Sequence, residues 1–272
     1  MLAFIFMFKI YNERKISNME ILVSQLPSGG YGYDFPSINI KPMNFLEITN
    51  YIQEMPSDPL SKYMYDIKKV VEDDEKVMDC YAMDLDFLVF YKKLITLSED
   101  LTYETTVKCP DCGKEITKTI SLNGDIQFKQ IDPKIMNGAT VILGGSKYDI
   151  SVPTVRDFLK VFAVYLRYKK IEDINIIKTL ALFTQYDMRA NEIEDKVLNA
   201  HHKDITLLMA LRDLYCNRLE PIEIYCPDCN PTHSEEKGGY MTVSAESLTV
   251  DMFQLYKSSP IDGSEILFKQ VL

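Results

Sequence analysis

The chain has 272 residues, 46% hydrophobic and 26% charged, a globular composition with apolar material for one large or two smaller domains. With 40 acidic against 30 basic residues the net charge is −10. The basic runs go no further than pairs such as Lys92-Lys93 and Lys169-Lys170, so the counterion-releasing surface of a nucleic-acid binder is missing.

In chain order, Met1-Leu2-Ala3-Phe4-Ile5-Phe6-Met7-Phe8 is apolar but too short to span a bilayer, and it lacks the charged start and cleavage site of a signal peptide. It reads as a β arm that pairs with a partner, as an edge strand, or as sequence upstream of a start at Met19. No membrane-spanning run appears elsewhere, and cysteines in C-x-x-C pairs without a cleavable signal fit a reducing compartment. A strand is expected over residues 19–24. The glycine-rich Leu26-Pro27-Ser28-Gly29-Gly30-Tyr31-Gly32-Tyr33 follows; no P-loop Lys-Ser/Thr comes after it, which leaves it a turn role. Ser37-Ile38-Asn39-Ile40 alternates as a strand, and Pro42 opens a helix through Leu46, Ile48 and Tyr51. After the break at Pro56 and Pro59, a second helix carries Leu60, Tyr63, Ile67 and Val70 on one face. The acidic run Glu72-Asp73-Asp74-Glu75 lacks EF-hand spacing and reads as a solvated helix end or loop. Asp84 is expected to cap a helix bearing Leu85, Leu88, Val89 and Leu94.

That helix leads into Cys109-Pro110-Asp111-Cys112-Gly113, which recurs 117 positions later (226 − 109) as Cys226-Pro227-Asp228-Cys229-Asn230. Alternating β-branched and charged residues flank the first pair (103–108 and 115–120). Short strand-like runs flank the second (223–225 and 240–243). Each pair therefore sits at the tip of a hairpin, and Pro after the first Cys with Gly or Asn after the second suits a tight turn. A lone C-x-x-C can be a redox pair, a disulfide or two ordinary cysteines. Two copies with the same core point to a structural Cys₄ zinc site made by Cys109, Cys112, Cys226 and Cys229, closed to water and substrate. One shared ion, two half-sites with outside ligands, and iron in place of zinc stay open. His233 reads as a polar loop residue rather than a ligand, and Cys80 and Cys216 as small core residues.

From residue 131 the order starts again. A hairpin around Gly144-Gly145-Ser146 is followed by a helix opened by Pro153-Thr154, further helices over 174–186 and 192–200, and a long apolar helix over 205–214. This second pass ends at the second C-x-x-C pair. Pro42 and Pro153 are 111 apart (153 − 42) against 117 for the first cysteines, so the register drifts by small insertions only. The expected fold class is α+β, with two internally duplicated helix-plus-β-hairpin halves joined by a zinc-ribbon-like Cys₄ site. The corresponding divisions are an N-terminal arm at 1–25, a first half at 26–130, a second at 131–257, where an amphipathic helix at 248–256 closes the second half, and a tail at 258–272.

The order of Leu26-Pro27-Ser28-Gly29-Gly30-Tyr31, Ile38-Asn39-Ile40, Pro42-Met43, Met83-Asp84-Leu85-Asp86-Phe87-Leu88 and Cys109-Pro110-Asp111-Cys112-Gly113 resembles the baseplate hub and hub-assembly proteins of contractile-tailed (myovirus) bacteriophages. Members of that family look like an LPS-G start and a CPxCG knuckle. The likeness covers residues 20–125, and the second half departs from it by repeating the knuckle in a longer chain. It implies a non-enzymatic structural or assembly subunit of the tail baseplate. Such a subunit is made in the host cytoplasm, docks other tail proteins within a larger assembly, and resides in the virion.

The residues themselves give an enzyme little support. The three histidines, His201, His202 and His233, fall in no H-E-x-x-H or deaminase pattern, and no G-x-S-x-G elbow is present. His201-His202 is placed near a helix end, and Asp84 and Asp86, two apart, point to different helix faces. No small-molecule substrate or membrane is expected. The alternative is a nucleic-acid-associated zinc ribbon, against which the acidic charge argues. The 17 tyrosines and 13 methionines fit adaptable protein contacts, with the segments 1–8 and 258–272 as docking candidates.

Overall fold

The computed structural model of the chain describes residues 19–54, 56, 58–97, 102–121, 124–168, 174–184, 192–216, 218–235 and 238–243. The expected arm at 1–8, helix at 248–256 and tail at 258–272 lie outside the described residues.

Helix α3 (Ala82–Leu97) runs through the middle of the molecule because its sequence has no purely polar face. Ala82, Met83, Leu85, Leu88, Val89, Phe90 and Leu94 are all buried, and so are Asp84, Lys92, Lys93 and Thr96. Buried charges persist only when paired, and both lysines are. Lys92 Nζ lies 2.6 Å from Asp73 and 2.9 Å from the Lys41 carbonyl, and Lys93 Nζ lies 2.6 Å from Asp66. Tyr51 donates to the other Asp66 oxygen.

Before α3 come β1 (Met19–Leu22), β2 (Ser37–Ile40), α1 (Phe45–Glu54), α2 (Pro59–Val71) and a 3-10 turn (Glu75–Asp79). After it comes the hairpin of β3 (Thr102–Lys108) and β4 (Glu115–Ser121). The remainder runs β5 (Ala139–Leu143), β6 (Ser146–Ile150), α4 (Val155–Tyr168), α5 (Ile174–Ala181), α6 (Glu192–Leu198), α7 (His202–Tyr215), β7 (Ile222–Tyr225) and β8 (Tyr240–Val243). The fold is α+β, and among the described residues it has seven α-helices and four two-stranded antiparallel sheets. A hairpin, two helices, the 3-10 turn and α3 precede the first C-x-x-C hairpin, and a hairpin and four helices, α4 to α7, precede the second. In packing, α2 lies against α3 and the 3-10 turn, α4 against α5 and the 3-10 turn, and α5 against α6 and α7.

Two apolar cores form around these contacts. The first joins Ile21, Ile38 and Ile40 to Leu60, Ile67, Leu85 and Leu88, and it takes in Val155, Phe158, Ile177 and Leu180 from beyond residue 130. Burial of a side chain such as Phe158 contributes on the order of 2 kcal/mol. The second joins Met83 to Val141, Leu143, Tyr148, Ile150, Phe183, Leu208 and Tyr215.

Several local expectations change. Pro42 and Pro153 stand ahead of their helices rather than opening them, because capping boxes set the first turns. Asn44 and Glu47 exchange backbone-to-side-chain bonds of 2.7 and 3.0 Å, and Thr154 and Asp157 do the same at 3.2 Å each way. Asp84 is inside the first turn of α3 and is no cap; it points at the glycine-rich loop, accepting from Ser28 N at 2.8 Å, from Ser28 Oγ at 2.7 Å and from Tyr33 OH. Asp86 faces elsewhere, toward Tyr63 and Lys178. His201 and His202 start α7 instead of ending the helix before it. The run 72–75 is less solvated than its composition implies, since Asp73 and Asp74 accept from the Lys41 and Asn39 amides and fasten β2.

Candidate metal centre

β3 and β4 pair without a bulge from Thr102 opposite Ser121 to Lys108 opposite Glu115. Cross-strand β-branched pairs such as Thr106 with Thr117, whose hydroxyls lie 3.0 Å apart, suit that pleat. β7 and β8 pair from Ile222 opposite Val243 to Tyr225 opposite Tyr240. Each hairpin therefore delivers its C-x-x-C pair at the end of a ladder.

The two knuckles share one backbone design. Gly113 N donates to the Cys109 carbonyl at 3.0 Å, and Asn230 N to the Cys226 carbonyl at 2.8 Å. The mouth is closed by Cys109 N donating to the Lys114 carbonyl in the first and Cys226 N to the Gly239 carbonyl in the second, both at 2.8 Å. Gly113 has φ 75°, where a side chain is disfavoured. Asn230 does not need that conformation: it is fully buried, and its side-chain amide braces the longer second loop through Ser234 at 2.6 and 2.9 Å.

Cys109, Cys112, Cys226 and Cys229 meet with all four sulfurs within 4.8 Å of one another. The close contacts run crosswise, Cys112 to Cys226 at 3.7 Å and Cys109 to Cys229 at 4.0 Å. A disulfide needs about 2.0 Å, so these are thiols. Zinc–sulfur bonds of about 2.3 Å in a tetrahedron put sulfurs about 3.8 Å apart, and the two crosswise spacings fit that figure. Four sulfurs this close cannot all ionise without a cation among them. The Cys226 thiol is drawn down by the backbone amides of Cys229 and Asp228, while the Cys229 thiol is pushed up, first by the Cys112 sulfur and then by burial. A divalent cation resolves that conflict, and the cluster can hold a metal ion. Cys109 and Cys226 are buried and Cys112 is exposed, so the site lies at the surface end of the hairpins.

The other sequence candidates lie apart from the cluster. His233, with φ 51°, is exposed and stacks on Tyr225 at 5.0 Å between centroids. Together with Ile116, Lys118, Glu223 and Ile224 these two line a shallow cleft of about 380 Å³ between β4 and β7, bridged by Lys118 Nζ on the Glu223 carbonyl at 2.8 Å. Cys80 and Cys216 are fully buried, one in each core, and burial pushes the Cys216 thiol up to about 12. Sequence reasoning missed the contacts that cross between knuckles. Asp111 accepts from Gly239 N, and Lys114 Nζ reaches both Asp228 oxygens at 3.0 and 2.9 Å. The available signal was the aspartate common to both CPDC cores.

No protein-family model, curated protein or solved structure matches the chain.

Proposed function

We propose that the chain is a non-enzymatic structural or assembly subunit of a phage tail baseplate, in the hub region, whose two duplicated halves are clamped by one structural zinc ion. The ligands are Cys109, Cys112, Cys226 and Cys229. The observation that carries the clamp is the convergence of four sulfurs within 4.8 Å from two hairpins far apart in the sequence, each closing a run of helices. On this reading residues 26–130 and 131–257 are the two copies, flanked by an arm at 1–25 and a tail at 258–272. Zinc suits an all-thiolate tetrahedron, and structural zinc in small peptides contributes about 10–16 kcal/mol to the bound fold.

The baseplate assignment is supported by the ordered motifs over residues 20–125, and its partners are other tail proteins in the host cytoplasm and the virion. The net charge of −10 speaks against the nucleic-acid alternative. Metal content of the purified chain tests the clamp: one zinc per chain, lost on Cys226→Ser, is expected. Zinc retained by the first knuckle alone sinks the shared site. Probing contractile tails with a specific antibody tests the rest, with label expected at the baseplate or on its assembly intermediates; label on neither removes the baseplate reading.

A further inference from the structure

We infer that Asp111 is a positioning residue for the metal, holding the first knuckle against the backbone of the second so that the four sulfurs converge ahead of the ion. The inference rests on reading the cysteines as a metal site. Gly239 is the residue whose carbonyl closes the second knuckle by accepting from Cys226 N at 2.8 Å. Its own N–H is taken by the Asp111 carboxylate, 128 positions earlier. One residue is thus gripped on both of its backbone polar groups, its carbonyl by its own knuckle and its N–H by the opposite one.

The approach is close enough to dictate sequence. A Cβ added at Gly238 falls 2.5 Å from Asp111 Oδ2, and one at Gly239 falls 2.8 and 2.9 Å from the Cβ atoms of Cys229 and Cys226. Gly238-Gly239 is therefore a bare backbone platform on which Asp111 docks. The partner contact is built differently. Lys114, whose carbonyl closes the first knuckle, pairs through its side chain with Asp228, and that pair is 46% and 60% exposed. Solvent screens such a pair to little net effect, whereas a carboxylate on a backbone amide is charge-assisted and geometrically fixed. The two aspartates occupy equivalent places in CPDC and do unequal work.

The consequence is preorganisation. Sulfurs 117 positions apart in sequence are brought together by a contact that involves no metal, and the ion then meets a formed site. Outer groups that orient ligands typically change metal affinity by about 10- to 100-fold when removed.

The test is zinc affinity of the full chain by competition with a chromogenic chelator, with the Co²⁺ spectrum reporting the ligand set. Asp111→Ala is expected to weaken zinc binding about 10- to 100-fold while the tetrahedral thiolate bands of Co²⁺ keep their positions. Asp111→Asn, which retains an acceptor oxygen, recovers most of the loss, and Gly238→Ala reproduces it. Asp228→Ala changes affinity by less than about fivefold. Asp111→Ala at wild-type affinity overturns the inference, as does a Co²⁺ spectrum in that variant missing a sulfur ligand. Wild-type protein that takes up neither ion overturns the metal reading itself, and this one with it.

Discussion

Lys178 of α5 sets its ammonium 3.0 Å from Asp86 Oδ2 on α3, with the two side chains only 6% and 13% exposed. Tyr63 of α2 donates to the other oxygen at 2.5 Å, and the ammonium also stands 5.3 Å from the centre of that tyrosine ring. One carboxylate thereby joins helices from both sides of residue 130. Removing a single partner leaves a charge without its counterpart in low dielectric, a loss of about 3–5 kcal/mol. Asp86→Ala is expected to cost that much in urea unfolding, and Asp86→Leu combined with Lys178→Met to recover at least half. A cost under about 1 kcal/mol for Asp86→Ala, the range of an exposed pair, would contradict the buried geometry.

Asp84 predicts an acid-range signature. Burial first of all lifts its carboxyl from 3.8 to about 6, against the opposing hydrogen bonds from Tyr33 and Ser28. Among the described residues no cation near it restores the charged form: Tyr33, Cys80 and Tyr81 are themselves raised, by burial and by the Asp84 charge. The folded value lies above the unfolded one, so between them the folded chain binds more protons. The contribution to stability is fully present below about pH 4 and is lost as pH rises through about 6, with a magnitude on the order of 3 kcal/mol. Denaturant midpoints taken in chelator from pH 4 to 7 should show this fall in the wild type and a flatter profile in Asp84→Asn. Equal slopes for the two proteins would remove Asp84 as the cause.

Much of the element order was legible, because hairpins and amphipathic helices write a local period. The first knuckle strands, expected at 103–108 and 115–120, are found at Thr102–Lys108 and Glu115–Ser121. Helix starts were misplaced by two or three residues, since proline is a louder signal than an Asn44/Glu47 or Thr154/Asp157 box. The four cysteines were legible from motif alone, but their convergence depends on distant contacts. Buried charges left no local trace: Lys93 with Asp66 and Lys178 with Asp86 look like surface helix residues until the partner helix is placed. Asp84 was misread for the same reason, its acceptor role being set by a loop 56 positions away.

Two glycines in the β5–β6 region separate steric from conformational cost. Gly138 has φ +80°, and a Cβ there would lie 2.2 Å from the Ile150 carbonyl oxygen, which the strand cannot easily move. Gly144, at the hairpin turn, has φ +53° and open space around it. Gly144→Ala should cost only the left-handed backbone penalty, about 1–2 kcal/mol. Gly138→Ala should cost clearly more, because β6 must shift as well. Thermal unfolding of the two variants measures the difference, and equal costs would deny the close approach at Gly138.

Metal removal should act on the hairpins and spare the helical body. Ile120, Ile222 and Ile224 are buried, yet none belongs to either apolar core, and no other described side chain of β3, β4, β7 or β8 does. Below the knuckles, the hairpins are joined by backbone bonds from Lys129 N to the Arg218 carbonyl at 2.7 Å and from Glu220 N to the Gln127 carbonyl at 2.9 Å. These bonds involve no ligand, so they keep the bases of the hairpins together when the tips loosen. Two-stranded ribbons are marginal without support, and local opening is favoured where apolar contacts are few. Chelation is therefore expected to accelerate amide exchange in 102–121, 222–225 and 240–243 by at least about tenfold, a shift of roughly 1.4 kcal/mol in local opening. Exchange in Ala82–Leu97 and the far-ultraviolet helical signal should change little. Loss of that helical signal in chelator would instead make the metal a condition of the whole fold, and unchanged exchange at the hairpins would mean that it holds neither.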